Sequence, residues 1–211
     1  LQACDNTLSF DDDGGYAPDL DKISLTFVTS SEPGTDPGNG EDLELGAPLS
    51  TVKYGPIAVT RHAKGMSVTS GSLKLLYNTE NGLSAYSWKN RGEEAKIQGA
   101  YSSIQLDQYL TSKDYAKHEF KLEEVERFHD RGGKGIKVTV NNRQEGLPTL
   151  KQIYYIYEQK DYLLTQVIAE QDTPLATNYI APLIVDHRGG VDIGQYGDNR
   201  VLVAPFDNDA W

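Results

Sequence analysis

From residue 51 onward the chain repeats one pattern, in which short runs of alternating apolar and polar residues are closed by Gly, Asn, Asp or Pro. A side-chain period of two places every second residue on one face, which is the geometry of a half-buried strand. Leu73, Leu75 and Tyr77 alternate with Ser72, Lys74 and Leu76, and Ile136, Val138 and Val140 alternate with Lys137, Thr139 and Asn141. Asn81-Gly82 is a strong hairpin dipeptide, and Gln159-Lys160-Asp161 separates two further apolar runs. The pattern predicts strands over 22–30, 52–62, 66–78, 83–89, 95–106, 118–128, 150–158, 162–170, 178–185 and 200–205, with a further strand starting near 136. Turns are expected at 130–135 and 186–190. No amphipathic helix, Rossmann alternation or fixed-period repeat interrupts the series. The expected fold class is all-β, a large antiparallel β-sandwich spanning 22–211, with a flexible loop at 31–46.

Thirteen Tyr and two Trp suit pleated, half-buried surfaces, and 20 Gly and 9 Pro suit many turns. The net charge of −11 argues against nucleic acid as a partner, because phosphate binding needs a basic surface. No apolar run is long enough to span a bilayer as a helix. The longest, near 180–185, is broken by Pro182.

The single cysteine excludes an internal disulfide, and its position carries more information than its number. The string Leu1-Gln2-Ala3-Cys4 resembles the lipobox of bacterial lipoproteins, with an aliphatic residue three before the Cys and a small one beside it. That resemblance implies lipidation of Cys4, a bacterial outer-membrane location exposed at the cell surface, and membrane contact through the lipid alone. Residues 1–21 then read as a tether, acidic at Asp11-Asp12-Asp13 and too poor in apolar residues to build a core. Asp-rich stretches after an acylated Cys resemble surface-export signals of Bacteroidetes-type lipoproteins. A calcium loop is the rival reading of the same carboxylates, although their spacing departs from an EF-hand. No other cofactor is expected.

Gly71-Ser72-Leu73-Lys74-Leu75-Leu76-Tyr77 is followed by Asn81-Gly82-Leu83-Ser84-Ala85-Tyr86-Ser87-Trp88. Further on, 152–157 (QIYYIY) pairs with 163–168 (LLTQVI), and the chain closes on 201–211 (VLVAPFDNDAW). These strings resemble the N-terminal β-supersandwich of glycoside hydrolases of the α-galactosidase and raffinose-synthase type, which is related to galactose-mutarotase-like domains. The resemblance implies carbohydrate as the ligand, a downstream catalytic barrel as a partner within the same protein, and a non-catalytic role for the sandwich. The strand–helix alternation of such a barrel is absent from this sequence.

Candidate site residues follow from the same comparison. Asp207 and Asp209 share a face if the last strand continues, where they can reach a sugar from the rim while Trp211 stacks on its apolar side. No catalytic residue is assigned, and no metal-ligand spacing such as HExxH occurs. A mutarotase-like epimerase would need His118, His187 and Glu170 to converge for acid–base work, whereas isolated surface histidines are the simpler expectation. The 186–190 segment can line a cleft or form a plain turn. Tyr154, Tyr155 and Tyr157 offer either a sugar platform or ordinary core and cross-strand packing, with packing preferred. The remaining reading is a stand-alone glycan-binding surface lipoprotein.

Overall fold

The computed structural model describes residues 43–90 and 93–193. Several sequence expectations therefore lie outside the described residues: the tether, Cys4, the strands at 22–30 and 200–205, and Asp207, Asp209 and Trp211.

The described residues form two antiparallel sheets, in agreement with the all-β sandwich expected from the alternation. The larger contains β1 (Pro48–Tyr54), β2 (Ile57–His62), β3 (Gly65–Ser70), β4 (Leu73–Asn78), β5 (Ser84–Asn90), β6 (Glu93–Gln105), β7 (Tyr109–Thr111) and β13 (Tyr179–Asp192). Strands β1 to β6 pair in sequence order, β13 closes the far edge against β6, and β7 pairs with the end of β6. The smaller contains β8 (Lys117–Phe120), β9 (Glu126–Asp130), β10 (Gly133–Arg143), β11 (Thr149–Tyr157) and β12 (Leu163–Glu170), in the order β12-β11-β10 with β8 and β9 both against β10. Two single 3-10 turns, Ser112–Asp114 and Leu122–Glu124, are the only helical segments among the described residues.

The inward faces are those the alternation marks. Leu73, Leu75 and Tyr77 meet Ile136, Val138 and Val140 in one buried cluster, joined by Ile57, Val59, Met66, Val68, Tyr154 and Ile156. Each such side chain removed from water contributes about 1.5–3 kcal/mol. The rings of Tyr77 and Tyr154 meet edge-on between the sheets at 6.4 Å. A second cluster of Ile104, Leu110, Tyr115 and Leu150 fills one end.

Several boundaries differ from the sequence expectation, each for a local reason. The run at 52–62 is a hairpin, β1 to β2, folding at Gly55 with φ +65°. The run at 66–78 is likewise a hairpin, β3 to β4, turning at Gly71 with φ +59°. Both glycines supply a left-handed conformation that β-branched residues resist. The run at 118–128 divides into β8 and β9 around the 3-10 turn at Leu122–Glu124. The turn at 130–135 is shorter than expected, because Gly133 to Gly135 already belong to β10. The expected turn at 186–190 lies within β13, where bulges against β6 absorb its irregularity. The end of the expected 31–46 loop is held in place: Leu45 is buried, its carbonyl accepts from the Lys64 N–H at 2.9 Å, and the Glu44 carbonyl accepts from Asn78 Nδ2 at 2.9 Å.

Candidate functional site

The sandwich interior is not uniformly apolar. At inward positions where the alternation would place Leu or Val, β10 carries Asn142, β11 carries Gln152 and β8 carries His118. Asn142 Oδ1 accepts from His118 Nδ1 at 2.7 Å, and Asn142 Nδ2 donates to the Leu150 carbonyl at 2.9 Å and to Gln152 Oε1 at 3.0 Å. The Tyr77 hydroxyl lies 3.0 Å from Asn142 Oδ1 and 2.8 Å from Gln152 Oε1, with one hydrogen to place between them. Gln152 Nε2 donates to Ser102 Oγ at 2.8 Å, and Ser102 donates onward to the Pro182 carbonyl at 2.7 Å. This chain of bonds ties both sheets together and orients each amide, as a buried polar network must to offset desolvation. It is sealed from solvent, so it fixes the fold rather than receiving a ligand.

His118 is therefore buried, a departure from the surface position expected of it. Glu170 lies on the opposite, outer face of its sheet, paired with Lys151 at 2.6 Å, so the acid–base trio required of an epimerase does not assemble from these two. Burial lowers the His118 pKa below its ordinary 6.5, and the Asn142 bond only partly counters this. An unfolded chain takes up the proton first, so this contribution to stability is complete above about pH 6.5 and is lost as pH falls through the lower folded value. Denaturant midpoints measured from neutral pH down to about pH 5 are expected to fall. The fall should be shallower in His118→Gln, which keeps a donor toward Asn142 without a titrating ring.

The Tyr-rich strand β11 resolves into packing. Tyr154 points inward, with its hydroxyl buried beside the Tyr86 and Ser84 hydroxyl groups. Tyr155 and Tyr157 point outward, but Phe128 meets them edge-on at 5.5 and 5.1 Å, and the Tyr157 hydroxyl donates to Asp130 at 2.8 Å. These rings occupy one another's faces.

Open surface lies elsewhere. At one end of the sandwich, the β6–β7 turn, the β10–β11 hairpin and the segment after β12 enclose a cleft of about 640 Å³. Leu106, Leu147 and Leu175 give it an apolar floor, and Asp107, Gln108 and Gln171 give it a polar rim. Beside this rim, on the outer face of the larger sheet, Tyr109 of β7 and Tyr179 of β13 flank Gln105 of β6 in one register row. The two rings are 48% and 44% exposed, and they lean over Gln105 to a centroid distance of 6.2 Å with 42° between their planes. The Thr177 hydroxyl donates to the Gln105 carbonyl at 2.6 Å and accepts from the Tyr179 N–H at 3.1 Å, which fixes the start of β13. Two residues along the same face, the Ser103 hydroxyl is fully buried and has no hydrogen-bond partner. Leaving a buried hydroxyl unpaired costs about 1–3 kcal/mol. Further along, Lys113 and Asp186 form a half-buried ion pair at 3.0 Å, with the ammonium 3.6 Å from the centre of the Tyr101 ring. Asp186 is thus held within a strand.

Sequence reasoning missed the Tyr109–Gln105–Tyr179 row. Tyr179 falls in the strand expected at 178–185, but Tyr109 lies between the strands expected at 95–106 and 118–128, in what the structure shows to be β7, and only the sheet register brings the two to either side of one glutamine. Among the described residues, no group of three or more His, Cys, Asp or Glu is placed to hold a metal ion, and no helix is long and apolar enough to cross a membrane. The chain matches no known protein family, and neither curated proteins nor solved structures show significant similarity to it.

Proposed function

We propose that the chain is the non-catalytic β-sandwich of a lipid-anchored glycoside hydrolase of the α-galactosidase type, acting on extracellular glycans. In this reading Cys4 carries the lipid, the sandwich braces a downstream catalytic barrel, and Asp207, Asp209 and Trp211 approach the substrate rim. Calcium binding by the same acidic segment is the rival to the tether reading.

One observation carries the accessory role. Among the described residues, β12 is one edge of the smaller sheet and β13 one edge of the larger, they lie against each other, and they leave large apolar side chains bare: Leu164 at 50%, Val191 at 61%, with Ile180 and Leu183 also exposed. A long apolar edge invites unwanted strand pairing unless something covers it, and a neighbouring domain of the same polypeptide would do so. The exposed Tyr109–Tyr179 pair favours a second reading, a stand-alone glycan-binding protein.

Hydrolysis of aryl α-galactosides, assayed with the 211-residue chain and with the full-length gene product, separates these. The accessory reading expects turnover by the full-length protein and none by the chain. Turnover by the chain itself, lost in Asp207→Asn or Asp209→Asn, would move the chemistry into the sandwich. A full-length product without glycosidase activity would leave the stand-alone binder.

A further inference from the structure

We propose that the Tyr109–Gln105–Tyr179 row is a binding platform for two consecutive pyranose units of a neutral, helically twisted glycan. The inference rests on the carbohydrate part of the reading above and assigns its contact surface.

Aromatic rings bind sugars when a ring face is open to the C–H side of a pyranose and a polar group sits beside it. The two rings of this row meet that condition together, whereas Tyr162, exposed to a similar degree at 46%, has only the buried Tyr157 ring beside it at 5.5 Å. Tyr154 is buried, and Tyr155 and Tyr157 are met edge-on by Phe128. Tyr109 and Tyr179 instead each leave nearly half their surface exposed, on a backbone pinned by Thr177. Their 6.2 Å spacing is close to the length of one sugar unit, so each ring can take one of two neighbouring units. The 42° between the ring planes suits a chain that turns from one unit to the next and does not suit a flat ribbon.

The polar partners point the same way. Gln105 stands on the strand between the two tyrosines, with its amide donating to the Leu106 carbonyl at 2.8 Å, which leaves its oxygen as an acceptor for a sugar hydroxyl. No charged side chain belongs to the row. Lys113, further along the same sheet, is already paired with Asp186, and the exposed Asp107 beside the row would repel an anionic sugar. The rival explanation is a cross-strand aromatic pair that stiffens the sheet end. It predicts a loss of stability on truncation and no sugar affinity.

Isothermal titration of the 211-residue chain with maltoheptaose, a twisted chain, and cellohexaose, a flat one, tests the assignment. Maltoheptaose is expected to bind more tightly. Tyr109→Ala and Tyr179→Ala should each weaken it about tenfold or more, and Tyr109→Phe should restore most of the affinity. Thermal melting should move little, since both rings are exposed. Binding that survives both alanine variants, or tighter binding of cellohexaose, overturns the platform. Failure of the chain to bind either sugar also overturns it. Any of these results beside an active full-length hydrolase leaves the accessory-domain reading standing, so the two fail separately.

Discussion

Asn142→Ala is expected to destabilise the fold by about 2–5 kcal/mol, a large share of the roughly 5–15 kcal/mol that holds a domain together. The side chain accepts from His118, lies within reach of the Tyr77 hydroxyl, and donates to the Leu150 carbonyl and Gln152. Truncation leaves His118 Nδ1 buried without a partner and removes the donor to the Leu150 carbonyl and to Gln152, and each buried group orphaned adds the full desolvation cost of a polar group. The neighbouring Asn141 provides the control. It lies on the outer face, its Oδ1 is buried without a partner, and Asn141→Ala removes that orphan, so the variant is expected to lose no more than about 0.5 kcal/mol. Urea denaturation of the two variants gives the comparison. Equal losses would show that the buried amide network contributes nothing specific to the fold.

Gly65→Ala carries the second large effect. Gly65 opens β3, opposite Asn78 of β4, and a Cβ there would overlap the Tyr77 carbonyl oxygen and come within 2.9 Å of Leu45 Cδ2. The obstacle is the backbone of the paired strand β4, so the end of the ladder must open to admit one methyl group. A loss of about 3 kcal/mol or more is expected, at the upper end of overpacking effects. Gly71 isolates the steric cause: its Cβ would meet open space, and only its φ of +59° resists substitution. Gly71→Ala should cost about 1–2 kcal/mol. The denaturation midpoints of both variants, set against the parent chain, check the order of the two effects.

The parts of the fold that were legible in the sequence are those governed by local periodicity. Leu73, Leu75 and Tyr77, and Ile136, Val138 and Val140, declare their inward face by spacing alone, and all six are buried. Hairpins were harder to divide where apolar residues continue on both sides of the turn. Val52 and Val59 lie on different strands, yet only Gly55-Pro56 between them marks the break. Glycine followed by proline is itself a turn signal, so this boundary was readable from the dipeptide and was obscured by the longer apolar run. The β3–β4 turn at Gly71-Ser72 carries a similar but weaker mark.

The buried network and the surface row were illegible for a different reason. His118, Asn142 and Gln152 look like solvent-facing residues in a binary pattern, and their mutual bonds cross three strands. Tyr109 and Tyr179 are 70 residues apart in sequence and meet only because both β7 and β13 pair with the end of β6. Long-range register of this kind is not encoded in any single window of sequence.

The most direct test of the functional account is an amide chemical-shift map of the 211-residue chain titrated with maltoheptaose. The account expects saturable shifts at Gln105, Tyr109, Tyr179 and their immediate neighbours, with His118, Asn142 and Tyr154 unmoved inside the sandwich. Shifts confined to the outer face of β11, or no shifts at any sugar concentration, would contradict it.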